Sequence, residues 1–194
     1  MATATQAASA AMDDRKFIED LRSRFNSGER LEYVFFWGNQ PSKHGVTPAC
    51  LSQWYESPFV VEGRRYPTAE HFMMAEKAAL FEDEEVLSLV LGAPDPSAAK
   101  ALGRRVQGFD QTVWLEHRFS LVVRGNEAKF SQNPALRRYL VETGTRVLVE
   151  ASPVDPVWGI GLAQNDERAN NPNQWRGLNL LGFALMQVRS NMAA

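Results

Sequence analysis

Apolar residues recur along this chain at two spacings, and each spacing predicts a kind of element. From Asp13 to Phe25, Phe17, Ile18, Leu21 and Phe25 lie three to four residues apart, one face of a helix that Asn26-Ser27-Gly28 ends. Tyr33-Val34-Phe35-Phe36-Trp37 is β-branched and aromatic, a short strand broken by Gly38. A polar loop runs from Asn39 to Pro48. Phe59-Val60-Val61 and Arg65-Tyr66, joined through Glu62-Gly63-Arg64, predict a hairpin. Pro67 and Thr68 open a helix that reaches Phe81, and Glu82 to Leu91 continues as a second. Asp95 as cap and Pro96 in the first turn start a third, which ends near Gly103. Asp110 to Phe130 predicts a long helix, with Val113, Trp114, Leu121, Val122 and Phe130 as core candidates and a late interruption at Gly125. Asn133-Pro134 starts another, ending at Gly144. Arg146 to Ala151 is the second strand region. Glycine-punctuated loop (Val157 to Leu162) and polar loop (Asp166 to Asn173) lead to a closing segment from Trp175 to Arg189, with Leu178, Leu181, Leu185 and Val188 on one face. Several helices, few strands and no βα alternation predict an α+β, predominantly α-helical single domain over residues 13–194. The Ala/Thr-rich residues 1–12 read as a disordered tail.

The helix after Pro67 carries a conflict. At 100° per residue Glu70, Met74, Lys77 and Phe81 share one stripe, with Met73 alongside. Phe72, Ala75 and Ala79 make the other side apolar, the pattern of a buried helix. Burial would raise the pKa of Glu70 and lower that of Lys77. The pair would then supply an acid and an amine nucleophile. The same spacing also suits an exposed charged stripe, or a buried pair that only packs.

Charge and composition narrow the function classes. The 194 residues hold 21 basic and 23 acidic side chains, a formal charge of −2. That argues against a broad phosphate-gripping surface and leaves room for a local basic pocket. The single cysteine, Cys50, excludes an intramolecular disulfide, fits a reducing compartment and reads as a buried spectator. His44, His71 and His117 lack metal-ligand spacing, so neither metal nor cofactor is expected. The first residues lack the basic and apolar regions of a signal peptide, and no stretch suits a membrane span, so a cytoplasmic protein without membrane contact is expected.

Four stretches are richer in aromatic and polar residues than packing requires: Phe35 to Gly38, Leu51 to Phe59, Arg124 to Phe130, and Ser152 to Leu162. Their tryptophans suit the face of a base or sugar, or a core position. Arg124 and Lys129 suit a phosphate, or a solvated helix face. Asp155 is a loop carboxylate or a turn residue. Gly159 and Gly161 lack the third glycine and the strand–helix context of a dinucleotide fingerprint.

Taken in order, FFWG, LSQWYxSPF, YPTAEHFMMAEKA, VVRGNxAKF, SPVDxxWGIGL and WRGLNLLG resemble the YbiA-like family, also called the NADAR superfamily. The resemblance runs from about Tyr33 to about Arg189, and Glu56 departs from the proline often found there. It implies the YbiA-like fold and an N-glycosidase, in which water cleaves the bond between ribose C1 and a nitrogen. Two substrate classes go with it: ADP-ribose on guanine, free or in DNA, and the ribosylamino-pyrimidine phosphate intermediates of riboflavin synthesis. The family's helix glutamate and lysine match Glu70 and Lys77, and its loop aspartate matches Asp155. Its tryptophans match Trp158, Trp37 and Trp54. Gly38, Arg124, Asn126, Lys129 and Gly159 complete the expected substrate-binding set. The rival reading is a module that binds ADP-ribose or NAD without cleaving it.

Overall fold

The computed structural model describes residues 4–193, with side chains from residue 14 onward. Helix α1 (Ala4–Asn26) begins inside the stretch read as a disordered tail; residues 1–3 of that stretch lie outside the described residues. Strand β1 (Tyr33–Phe36) and strand β4 (Val147–Glu150) pair in parallel, with Tyr33 opposite Val147 and Phe36 opposite Glu150. The two strands are separated by most of the chain, so everything between them crosses over one two-stranded centre.

The hairpin forms as the sequence predicts, from β2 (Phe59–Val61) and β3 (Arg64–Tyr66). Its two turn residues, Glu62 and Gly63, both have positive φ (51° and 78°), the requirement of a two-residue hairpin loop that follows the strand twist. The hairpin delivers the chain to α2 (Ala69–Leu80), where the Thr68 side chain accepts from the His71 N–H. Asp83 caps α3 (Glu84–Leu91) through the Val86 N–H, and Asp95 caps α4 (Pro96–Gly103) through the Ala98 N–H. Asp110 caps α5 (Gln111–Gln132) in the same way. Helix α6 (Pro134–Glu142) follows directly, and α7 (Leu180–Ala193) closes the chain.

Helix α2 lies at the middle, packed against α3, α4 and α5. Ala69 through Ala75 are all buried, as is Ala78; Ala79 is exposed, so one narrow strip reaches the surface. Phe72 is 1 % exposed and meets Tyr66 edge-on at 5.1 Å between ring centres. Burying such a ring contributes about 2 kcal/mol. The expected break at Gly125 is not there: α5 is continuous. The glycine is needed because a Cβ would stand 2.4 Å from Phe72 Cδ1, so α2 and α5 approach where no side chain intervenes. A second apolar cluster joins α1 to the far side of β1 and β4 through Ile18, Leu21, Val147, Val149 and Ile160.

The last helix starts five residues later than the pattern predicts. Residues 175–179 are held as loop because the Ile160 carbonyl accepts from Arg176 and Gly177, the Pro156 carbonyl from Leu178 and the Gly159 carbonyl from Asn179. Asn179 sits at φ 55° and bridges β4, donating to the Leu148 carbonyl and accepting from the Glu150 N–H. No helix among the described residues is long and apolar enough to cross a membrane.

Candidate active site

The stripe that α2 turns out of the core borders a cavity of about 410 Å³. Glu70, Met73, Met74 and Lys77 line it from α2, Lys100 and Arg104 from α4, Trp114 and Arg118 from α5. The floor comes from Glu150 at the end of β4 and from Asp155 and Trp158 on the loop after it. A second lobe of about 590 Å³ continues past Trp54, Lys100, Arg104, Glu150 and Asp155 to Trp37, Gly38 and Asn39. Trp37 is 62 % exposed there, an indole with one face to solvent.

Glu70 is 2 % exposed, and its Oε1 has no hydrogen-bond partner. Its place is set by its own backbone, whose N–H donates to the Gln53 carbonyl at 3.0 Å. Burial pushes its pKa from 4.5 up to about 7; Lys100, a hydrogen bond from the Trp54 side chain and Arg104 resist the rise, and Asp155 adds to it. Glu150 is the same kind of group. Its Oε2 is buried without a partner, and burial, with Asp155 and Glu70 adding, pushes its pKa up to about 8 against the pull of Lys100. Asp155 differs. Its Oδ1 accepts from the N–H groups of Val157 and Trp158, both at 2.9 Å, which fixes the loop.

Lys77 is half-buried, and burial lowers its pKa. Its Nζ donates to the Gly103 carbonyl at 2.8 Å and lies 4.4 Å from the Phe109 ring centre and 5.7 Å from that of Trp114. Lys100 and Arg104 form no salt bridge among the described residues; the Lys100 Nζ lies 5.9 Å from the Trp54 ring centre. Both point free charge at the cavity. Arg118 is tied instead, its Nε donating to Asp14 at 3.0 Å and its guanidinium paired with the same carboxylate at 2.5 Å.

The structure thus brings together Glu70, Lys77, Asp155, Trp54, Trp158, Trp37 and Gly38. It does not bring Arg124, Asn126, Lys129 or Gly159 to the cavity wall. Arg124 pairs with Glu76 and Glu62 on the other face of α5. Lys129 is fully buried, donates to the Ser52 carbonyl at 2.8 Å, and has its pKa pushed down to about 7 by burial, so it holds a loop rather than a phosphate. Asn126 donates to Gln53 Oε1 at 2.8 Å, bracing the residue whose carbonyl anchors Glu70. Gly159 is a close-approach point: a Cβ there would stand 2.9 Å from the Glu150 carbonyl. Cys50 is the buried spectator expected of it, its thiol pushed up to about 11 by burial.

Four lining residues escape a reading by motif: Lys100, Arg104, Arg118 and Glu150. Lys100 on α4 and Arg104 at its C-terminal cap are four apart, a visible i, i+4 basic pair. Glu150 is a charge closing an apolar strand just before Ser-Pro, which is also visible. Arg118 carries no local signal, since its partner lies 104 residues away.

Against known proteins, the NADAR domain profile matches residues 35–193. The protein named N-glycosidase R617 of Acanthamoeba polyphaga mimivirus is 42% identical over 166 residues, 83% of this chain and 96% of that protein. N-glycosidase YbiA of Escherichia coli K12 is 29% identical over 136 residues, 70% of this chain and 76% of that protein. The solution structure of E. coli YbiA superposes with a TM-score of 0.67 at 25% identity, covering 84% of this chain and 85% of that one. The maize riboflavin biosynthesis protein PYRR, chloroplastic, is 34% identical over 134 residues, 66% of this chain and 20% of that longer protein. By sequence and by fold, this chain belongs to the NADAR domain family, the family of enzymes named N-glycosidases, hydrolases of N-glycosyl bonds.

Proposed function

We propose that the chain is an N-glycosidase that hydrolyses the bond between ribose C1 and a nitrogen, and that its substrate is ADP-ribose attached to guanine, free or in DNA. The observation that carries the reaction class is a cavity holding two buried carboxyls with bare oxygens beside an anchored carboxylate. Breaking a C1–N bond requires a proton on the leaving nitrogen, stabilisation of positive charge at C1 and a base for the incoming water. Glu70 is one of the two proton-exchanging groups. Asp155, held in place by two N–H groups, stabilises the charge at C1. The Lys77 amine attacks C1 as the C1–N bond breaks and the ribose ring opens to a Schiff base; water then adds to C1, passes its proton to a carboxylate and releases the amine. For that attack Nζ has to leave the Gly103 carbonyl, to which it is bonded at rest.

The shape of the cavity supports the larger substrate. Two indole-bearing lobes meet at Lys100 and Arg104, the arrangement a diphosphate between two ring-bearing ends would need. The acidic net charge fits a substrate held through its ADP-ribose portion rather than through a DNA track, with any DNA contact confined to the modified base. A cytoplasmic place of action belongs to the same proposal. The second reading, ribosylamino-pyrimidine phosphates of riboflavin synthesis, is favoured by the riboflavin name of the maize relative.

The test is mass spectrometry of the protein with an ADP-ribosyl-guanine oligonucleotide and, separately, with ribosylamino-pyrimidine phosphate, each with borohydride present. Released ADP-ribose with an adduct on Lys77 is the expected result. Release without an adduct, alongside a trapped control imine, removes the covalent step. Turnover of the pyrimidine phosphate alone moves the substrate to the second reading. Tight binding with no turnover of either makes the chain a binding module.

A further inference from the structure

The proton chemistry above needs two groups, one to give and one to take, and the motifs offer Glu70 and Asp155. Asp155 is poorly suited to giving. Its Oδ1 is already occupied by two backbone N–H bonds that tie it into its own turn. Glu150 has the opposite surroundings. It ends β4 with its backbone held from both sides: its N–H donates to Asn179 Oδ1 at 2.9 Å and its carbonyl accepts from Ile160 at 2.9 Å. Its side chain lines both lobes, and its Oε2 is buried without a donor or acceptor. In a folded core such an oxygen is costly unless a ligand or a shared proton completes it.

The geometry points to Glu150 as a further catalytic residue of this chain, the acid that protonates the leaving nitrogen, with Glu70 as its partner base. This rests on the N-glycosidase reading. The proton on Glu150 goes to the leaving nitrogen as the C1–N bond breaks. Glu70 takes the proton of the water that adds to C1, and a proton returned from Glu70 to Glu150 resets the pair. Two like charges facing one cavity resist ionising together, so one of the pair stays protonated while the other is charged. The groups that face Glu150 are Glu70 and Lys77 from α2, Lys100 and Arg104 from α4, Arg118 from α5 and Asp155 from the following loop. Lys100 and Arg104 stabilise the anion left when Glu150 has given its proton.

The experiment compares wild type with Glu150→Gln on whichever C1–N substrate the wild type turns over, across pH 5 to 9. Glutamine keeps the shape and neutrality of the protonated acid but has no acidic proton. A fall in kcat of ~100-fold or more is expected, with KM little changed and the alkaline limb of the wild-type profile lost. Wild-type kcat with an unchanged profile would overturn the assignment and leave the N-glycosidase reading intact. Failure of the wild type itself on both substrates would overturn both. Should the variant misfold, carbon-13 titration of the wild-type glutamate carboxyls decides instead. Glu150 staying protonated after Glu70 has ionised supports the assignment, and Glu150 ionising first refutes it.

Discussion

Replacing Glu70 by glutamine should stabilise the protein as pH rises while removing its chemistry. The carboxyl is 2 % exposed and its pKa rises from 4.5 to about 7, chiefly through burial. A shift of that size corresponds to about 3 kcal/mol of preference for the neutral form. Below pH 4.5 the carboxyl is neutral in both folded and unfolded chains, so its contribution to stability is fully present. Between 4.5 and about 7 the unfolded chain gives up its proton while the folded chain keeps it, and stability falls. Above about 7 the loss is complete. Glutamine has no charge to bury. Its amide leaves a buried N–H that costs about 1 kcal/mol, but that cost does not change with pH.

The quantity that decides is therefore the stability difference between variant and wild type as a function of pH. Urea denaturation followed by far-ultraviolet circular dichroism at pH 5, 6, 7 and 8 measures it, without relying on Trp54 fluorescence beside the mutated group. The variant should gain roughly 2 to 3 kcal/mol on the wild type between pH 5 and pH 8. Glu150 pushes in the same direction, because ionised Glu70 is one cause of its own raised pKa. A difference that stays flat within about 0.5 kcal/mol, the scatter of surface substitutions, would refute the claim that Glu70 is held neutral by the fold.

Three further perturbations test other parts of the structure. Asp14→Ala leaves the buried Arg118 guanidinium unpaired and should cost about 3 kcal/mol in urea denaturation, most of it recovered when Arg118 is also changed to Met; a cost under ~1 kcal/mol would mean that this pair does not hold α1 to α5. Gly182→Ala places a Cβ 2.1 Å from the Leu148 carbonyl and should lower stability by about 3 kcal/mol in thermal melts, since α7 has to lift off β4. Lys129→Met removes an amine whose pKa is pushed from 10.5 down to about 7 by burial; the wild type loses stability as pH falls from 10.5 toward 7 and the variant does not, so the variant should gain on the wild type over that range in parallel urea titrations.

What the sequence shows in advance is what short-range forces decide. The caps at Thr68, Asp83, Asp95 and Asp110 each act within three residues; Thr68, Asp95 and Asp110 are where the pattern predicts a helix start, and Asp83 falls one residue past the predicted start at Glu82. The hairpin at Glu62-Gly63 and the buried stripe of α2 are equally local. The cavity-lining residues legible in the sequence, Glu70, Lys77, Asp155, Trp158, Trp54, Trp37 and Gly38, lie in four contiguous motifs. What was illegible depends on pairing across the chain. Glu150 faces Glu70 only because β4 pairs with β1 across more than a hundred residues. Arg124 and Lys129 look alike on paper, since periodicity does not say which side of α5 meets α2 and which meets the hairpin. In the folded chain Arg124 is neutralised by Glu62 and Glu76, while Lys129 is consumed by the Ser52 carbonyl. The late start of α7 was hidden for the same reason: the partners that hold residues 175–179 as loop lie on another loop.

The three carboxyls of the site are all held by neutral groups, which explains why neutral residues around them matter. Glu70 and Glu150 are placed through their backbones, and Asp155 through its Oδ1. The Glu70 N–H is fixed by the Gln53 carbonyl, and Gln53 is braced in turn by Asn126. The Glu150 N–H is fixed by Asn179, which also holds the Leu148 carbonyl. Asp155 is fixed by the turn it caps. Amides can hold position without neutralising a carboxyl, whereas an arginine or lysine in the same place would quench it. Two tips are thus left bare in a rigid frame, at a cost to stability that the pH titration of Glu70→Gln measures. Bare groups in fixed positions need no reorganisation when a proton moves, which is the condition for preorganised catalysis. On this account Asn126 and Asn179 act on the reaction only through position. Asn179→Ala should then misplace Glu150 and lower kcat with little change in KM, and restoring the amide as Gln should not recover it, because one further methylene moves the oxygen off the Glu150 N–H.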